Sequence, residues 1–227
     1  MSDCFRWQLM SEPDYIAKIP DFEALQRYFQ SPLQGPPQPI PHPDSSVNEL
    51  IRGREHSLRR ASVLIPVTRE YSGFPSRVVL TVRSENLKNH AGQISFPGGS
   101  HETQDRDAIA TALRETEEEI GIRNREVGVL GKLGDMALPS GYLITPVVGV
   151  IEPGLAFRPC PIEVADIFQV PLSLVMNPLA YRTSSMAFGA ERRRVLELLY
   201  EDYRIWGATA AILYHLACEL SAAVAKR

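Results

Sequence analysis

The residues best placed to do chemistry lie in one short stretch, Arg114-Glu115-Thr116-Glu117-Glu118-Glu119-Ile120-Gly121. On a helix turning about 100° per residue, Glu115 and Glu119 stand one turn apart on one face, with Glu118 beside them. Glu117 points nearly opposite Glu115. Ile109, Leu113, Thr116 and Ile120 share a different, narrow sector, so the helix would bury one side and present converging carboxylates on another. That arrangement is unfavourable by itself. Like charges four residues apart cost roughly 0.2–0.5 kcal/mol per pair, and carboxylates in a last turn oppose the helix dipole by about 0.3–1 kcal/mol each. A divalent cation reverses both signs, and hard oxygen ligands suit Mg2+ or Mn2+. The alternative is a solvated acidic face, in which Arg114 simply pairs with Glu118 four residues on.

Elements on either side must position this helix. Asp105 or Asp107 can cap its start, and Gly121 is placed for a left-handed stop. Ahead of it, Ala61–Val67 and Arg77–Arg83 are short, rich in β-branched residues and bounded by turn formers, so both read as strands. A loop and the Phe96-Pro97-Gly98-Gly99 turn follow. Behind it, Val127–Leu133, Leu143–Ile151 and Glu163–Val170 are strand candidates. Between Tyr181 and Tyr203 only Val195–Tyr200 reads as a strand, and a last helix runs from about Trp206 to Val224 on a stripe of Leu213, Leu216, Ala217 and Leu220. Phe22, Leu25 and Phe29 mark a short early helix, and the prolines of residues 32–44 make an extended arm or linker. The expected division is therefore residues 1–60 as a helix with a Pro-rich arm, and 61–227 as the globular domain. Spacing alone is compatible with an α/β or an α+β sandwich.

Composition excludes several classes. The chain has 227 residues and a formal net charge of -3, which offers no electrostatic case for a nucleic-acid partner. Its cysteines, Cys4, Cys160 and Cys218, are odd in number and far apart, which predicts reduced thiols of a cytoplasmic protein rather than a disulfide frame or zinc site. No apolar run is expected to reach the roughly 18 residues of a membrane span. The acidic start of the chain does not match a secretory signal.

Around the acidic helix the sequence resembles the Nudix box. Gly99, Arg114-Glu115, Glu118-Glu119 and Gly121-Ile122 match its pattern, with one extra residue after Gly99 and Asp105 for the mid-box acidic residue. Such an insertion is a feature of the coenzyme A pyrophosphatase branch. A second signature of that branch is similar to Leu80-Thr81-Val82-Arg83-Ser84 followed by Gly92 and Phe96-Pro97-Gly98-Gly99, with Lys88 where Arg is usual. Further likeness runs through Ser140-Gly141, Thr145–Gly149, Glu163-Val164 and Arg204–Ala210, so that it covers about Ala61 to Leu216.

The resemblance implies an α/β/α sandwich around a central mixed β-sheet, and hydrolysis of a nucleoside diphosphate linked to another group. It implies Glu115, Glu119 and Glu118 as ligands of Mg2+ or Mn2+, with Arg114 orienting them and the Gly99 carbonyl as a further ligand. Arg83 and Lys88 become the phosphate contacts, beside Gly98 and Gly99. The general base stays open between a box glutamate and Glu163. His90 reads as a satisfied loop histidine, and Trp206 as helix packing rather than an adenine platform. The expected substrate is coenzyme A or an acyl derivative. ADP-ribose or NADH hydrolysis is the alternative within the family, and a non-catalytic nucleotide-sensing module the alternative outside enzymes. Family members often pair, so a homodimer is compatible with this reading.

Overall fold

The computed structural model describes residues 19–31, 36–87, 90–189 and 191–225. Strand β1 (Arg59–Thr68) pairs in parallel with β7 (Tyr142–Ile151) along its whole length, from Arg59↔Tyr142 to Thr68↔Ile151. On its other side β1 meets β2 (Arg77–Arg83), and near its start it meets the short β4 (Gly98–Ser100), both antiparallel. The mixed sheet runs β3 (Ile94–Ser95), β2, β1, β7, β5 (Val127–Lys132). Strand β6 (Met136–Ala137) pairs with β7, and β8 (Val164–Pro171) with β2. A crossover carrying a helix is what a parallel pair requires, and α3 (Ala108–Ile120) lies in the connection between β1 and β7.

Alternation sorts the strand residues onto two faces. Leu64 and Val147 pack with Ala112 of α3, and Val79 and Ile151 with Ile120, on one face. Ile65, Val67, Leu80 and Val148 pack on the other, in the larger core that holds Ile212, Leu213 and Leu216 of the last helix. With both faces covered, the central strands read as continuous apolar runs, as in ASVLIPV. This is the α/β/α sandwich around a mixed sheet that the resemblance implied.

Three features depart from the expected elements. Residues 181–206 form a second, antiparallel sheet of β9 (Tyr181–Phe188), β10 (Glu191–Tyr200) and β11 (Tyr203–Trp206), so Trp206 ends a strand and the helix begins after it. Gly207, at φ +66, makes that break. That helix, α4 (Gly207–Ala225), is long and apolar enough to cross a membrane by length and composition, contrary to expectation. Leu213, Leu216, Ala217 and Leu220 instead lie buried in the protein core. Finally, the arm is followed by a short helix that was not among the expected elements. After α1 (Phe22–Gln30), Ile40 is buried in the main core and donates its N–H to the Asp135 carbonyl. A short α2 (Ser45–Ile51), capped by Asp44, leads into β1.

Candidate active site

Helix α3 begins where Asp107, the second of the two cap candidates, accepts the Ala110 N–H at 2.8 Å. It ends at Gly121 with φ +74, in the left-handed region, whose N–H donates to Glu117 O. A Cβ there would lie 2.8 Å from the Arg158 Cβ. The close approach has a purpose: the chain from Arg158 to Cys160 caps the helix end. Arg158 N–H donates to Ile120 O and Cys160 N–H to Glu119 O. The next residues bring Glu163 toward the carboxylates, where its charge acts on both Glu115 and Glu119. Its own carbonyl accepts the Ser84 N–H, which ties it to the end of β2 beside Arg83.

The four glutamates have different environments. Glu119 is only 3% exposed. Burial pushes its carboxyl up to about 8; the Arg83 guanidinium 4.0 Å away and an N–H from Gly98 oppose the shift. Glu115 is also raised, first by burial, against the bond it accepts from Arg114 at 2.9 Å. Glu118 and Glu117 are exposed, and Glu117 lies away from the other three. The helical wheel assigns the faces; it does not say that Glu119 would be enclosed.

Arg114 is the hub of this end of the helix. It donates to both oxygens of Asp105 (3.0 and 2.9 Å), to Glu115 and Glu118 (2.9 and 3.1 Å) and to the Ser100 carbonyl (3.0 Å). Asp105 is therefore not the helix cap. It is a buried carboxylate, held well below the usual range by Arg114, and it also accepts from Thr111 Oγ1 and the Glu102 N–H. The pairing of Arg114 with Glu118 that a solvated acidic face would show exists alongside the others.

The glycine turn supplies the room. A Cβ on Gly99 would fall 2.5 Å from the Glu115 carboxyl, and one on Gly98 2.4 Å from the Ser62 carbonyl, so both positions depend on close backbone approach. Gly98, Gly99 and Arg83 form one end of a cavity of about 770 Å³. His90 hydrogen-bonds Gln93 through Nδ1 at 2.8 Å, and both residues are on its wall. Trp206 is there too, near Phe188, which corrects its reading as helix packing. Arg59, Tyr142, Arg193 and His42 also line the cavity and were missed, because no local pattern marks them. Lys88 lies outside the described residues.

The donor set suits a divalent cation: oxygen ligands throughout, a buried and a half-buried carboxylate whose ionisation burial disfavours, and a glycine that makes space beside one of them. Among the described residues no three acidic or imidazole side chains already converge at ligand spacing. Arg114 engages Glu115 and Glu118, and Arg83 faces Glu119.

Comparison with known proteins bears on the family of the chain. The NUDIX domain family model matches residues 58–160. The Nudix hydrolase NudL of Photorhabdus laumondii is 42% identical over 159 residues, covering 70% of this chain and 83% of that protein. The chain is a member of the Nudix hydrolase family. The NudL of Escherichia coli strain K12 is 40% identical over 162 residues, with 71% of this chain and 83% of that protein covered. Among solved structures, a Caenorhabditis elegans Ap4A hydrolase complex aligns with 75% of this chain and 100% of its own at 14% identity and a TM-score of 0.47. The Nudix hydrolase RenU of M. smegmatis covers 50% of this chain and 70% of its own at 19% identity and a TM-score of 0.42. As a Nudix hydrolase this chain is an enzyme of the pyrophosphohydrolase class, and the matched stretch contains both the turn at Gly99 and α3.

Proposed function

We propose that this Nudix enzyme cleaves coenzyme A or acyl-coenzyme A at the diphosphate, releasing 4′-phosphopantetheine, or its acyl form, and adenosine 3′,5′-bisphosphate. The observation that carries the reading is the segment from Leu80 to Gly99. Its sequence resembles the second signature of the coenzyme A branch, and it contributes Arg83, His90, Phe96, Gly98 and Gly99 to the cavity. Glu115, Glu119 and Glu118, with the Gly99 carbonyl, would hold Mg2+ or Mn2+. Such an ion supplies charge neutralisation at the diphosphate and a lowered pKa for the attacking water.

The chain's own groups do the rest. Arg114 fixes Glu115 and Glu118 against the buried Asp105. Arg83 stands where the carboxylates meet the cavity, and its Nε is a buried donor with no hydrogen-bond partner among the described residues. A diphosphate oxygen would satisfy it. Lys88 is assigned the same kind of contact by motif. Glu163, held near Glu115 and Glu119 by the Ser84 and Cys160 backbone bonds, competes with the box glutamates for the role of general base. The free thiol of Cys160 fits work in the cytoplasm.

The test is purified enzyme with Mg2+ or Mn2+, offered coenzyme A, acetyl-coenzyme A, ADP-ribose, NADH and diadenosine polyphosphates, with products identified by mass. Coenzyme A cleavage to the two named products, abolished by chelator, supports the reading. Efficient ADP-ribose cleavage with coenzyme A untouched overturns the substrate and leaves the Nudix chemistry standing. Nucleotide binding without cleavage of any compound would favour a sensing module instead.

A further inference from the structure

The cavity's lining includes Arg59, Arg83, Arg193, His42 and His90, and among the described residues not one Asp or Glu, in a chain whose net charge is -3. Arg83 is accounted for by its position beside Glu119. The other two arginines stand elsewhere. Along β1, Arg59, Ala61 and Val63 face the cavity on alternate positions, and Val63 pairs with Gly98. At roughly 3.3 Å per residue, Arg59 is therefore about 13 Å along the strand from the glycine turn at the carboxylates.

Arg59 and the other cationic lining residues, Arg193 and His42, are each held in place. Arg59 and Tyr142 are directly opposite in the parallel pairing of β1 and β7, and the guanidinium lies 4.4 Å above the ring centroid. Arg59 makes no ion pair with a carboxylate among the described residues, so its charge is available. Arg193 approaches the Phe188 ring and is anchored by Glu191 at 2.8 Å. His42 comes from the arm, which is stitched to β10 where the Arg194 N–H donates to Asp44 Oδ2 at 2.7 Å. The Asp44 N–H donates to His42 Nδ1, so the neutral ring carries its proton on Nε2 and is a donor there.

We propose that Arg59, Arg193 and His42 form an anion subsite for a second phosphate of the substrate, a phosphomonoester on its nucleoside end, separate from the diphosphate that is cleaved. A phosphomonoester brings nearly two negative charges and three acceptor oxygens, which matches the Arg59 fork, the edge of the Arg193 guanidinium that Glu191 does not engage, and an imidazole N–H. A carboxylate has one charge and two oxygens. The neighbouring Tyr142, Phe188 and Trp206 supply the aromatic wall that a nucleoside beside that phosphate would meet. The inference rests on the reading that this cavity receives the nucleotide part of the substrate.

Calorimetric titration of the full chain with adenosine 3′,5′-bisphosphate, AMP and inorganic phosphate tests it without turnover. A charged hydrogen-bonding contact predicts that the bisphosphate binds at least roughly tenfold more tightly than AMP. Arg59→Gln should erase that advantage while AMP affinity stays put, and Arg193→Gln should reduce it. Arg60→Gln, whose side chain does not line the cavity, should preserve it. Equal affinity of the wild type for bisphosphate and AMP overturns the subsite, as does an advantage that survives in Arg59→Gln. An advantage in a protein that leaves coenzyme A uncleaved keeps the subsite and removes only the substrate. Cleavage of coenzyme A with no such advantage does the reverse.

Discussion

The acidic helix and the cavity beside it are built in opposite ways. On the helix, three glutamates from five consecutive residues share one side, and two of them are pushed toward neutrality by burial. In the cavity, the basic and aromatic groups come from the arm, β1, β7, β9, β10 and β11, and no carboxylate among the described residues lines the wall. A helix can carry a whole set of metal ligands because three- and four-residue spacings already share a face. A surface that must follow the outline of a large substrate needs several segments.

The comparison can be tested first at the hub at the end of the acidic helix. Arg114→Ala would strand Asp105, a buried carboxylate, and should cost about 3–5 kcal/mol of stability, read by urea unfolding. A loss below 1 kcal/mol would mean that Asp105 is not the pairing that organises this end. Glu119→Gln comes next. Outer-shell partners of metal ligands are worth about ten- to a hundredfold, so losing a direct ligand should cost more than about a hundredfold in kcat with the fold intact. Retained kcat would remove Glu119 from the ligand set.

Arg83→Ala tests the junction of helix and cavity. An interaction made equally in ground and transition states raises KM rather than lowering kcat. A charge-assisted bond predicts a loss on the order of tenfold to a hundredfold in kcat/KM; a fall confined to kcat would move Arg83 from binding into the chemical step.

The acidic helix also predicts a pH effect in metal-free protein. A carboxyl held near 8, against its ordinary 4.5, binds more protons folded than unfolded between those values. Its contribution to stability is thus full below about pH 4.5 and is lost as pH rises through about 8. In chelator, Glu119→Gln should gain in Tm relative to wild type between pH 5 and pH 9. A constant difference would show that Glu119 titrates normally. The smallest effect belongs to Glu117→Gln, on the helix's outer side, where activity should change by less than about twofold; if it proved the most damaging of the box variants, the facial assignment would fail.

What could be determined from sequence alone was local or strongly patterned. Asp107 and Gly121 bound α3 because a cap acts within three or four residues of itself. The runs at 61–67 and 77–83 became central strands because both faces of each are buried. The face shared by Glu115 and Glu119 follows from helical geometry. Tertiary structure alone decided the rest. Asp105 could equally have been a cap until Arg114 turned back across nine residues to bury it. Glu119 is enclosed because β4 and the chain from Arg158 to Cys160 close over the helix end, which no wheel can display. Arg59 meets Tyr142 only because strands eighty-three residues apart pair in register. Trp206 left the helix for the cavity wall when β11 paired with β10. A periodic pattern says which way a side chain points along its own element; the partner it meets depends on chain that is distant in sequence.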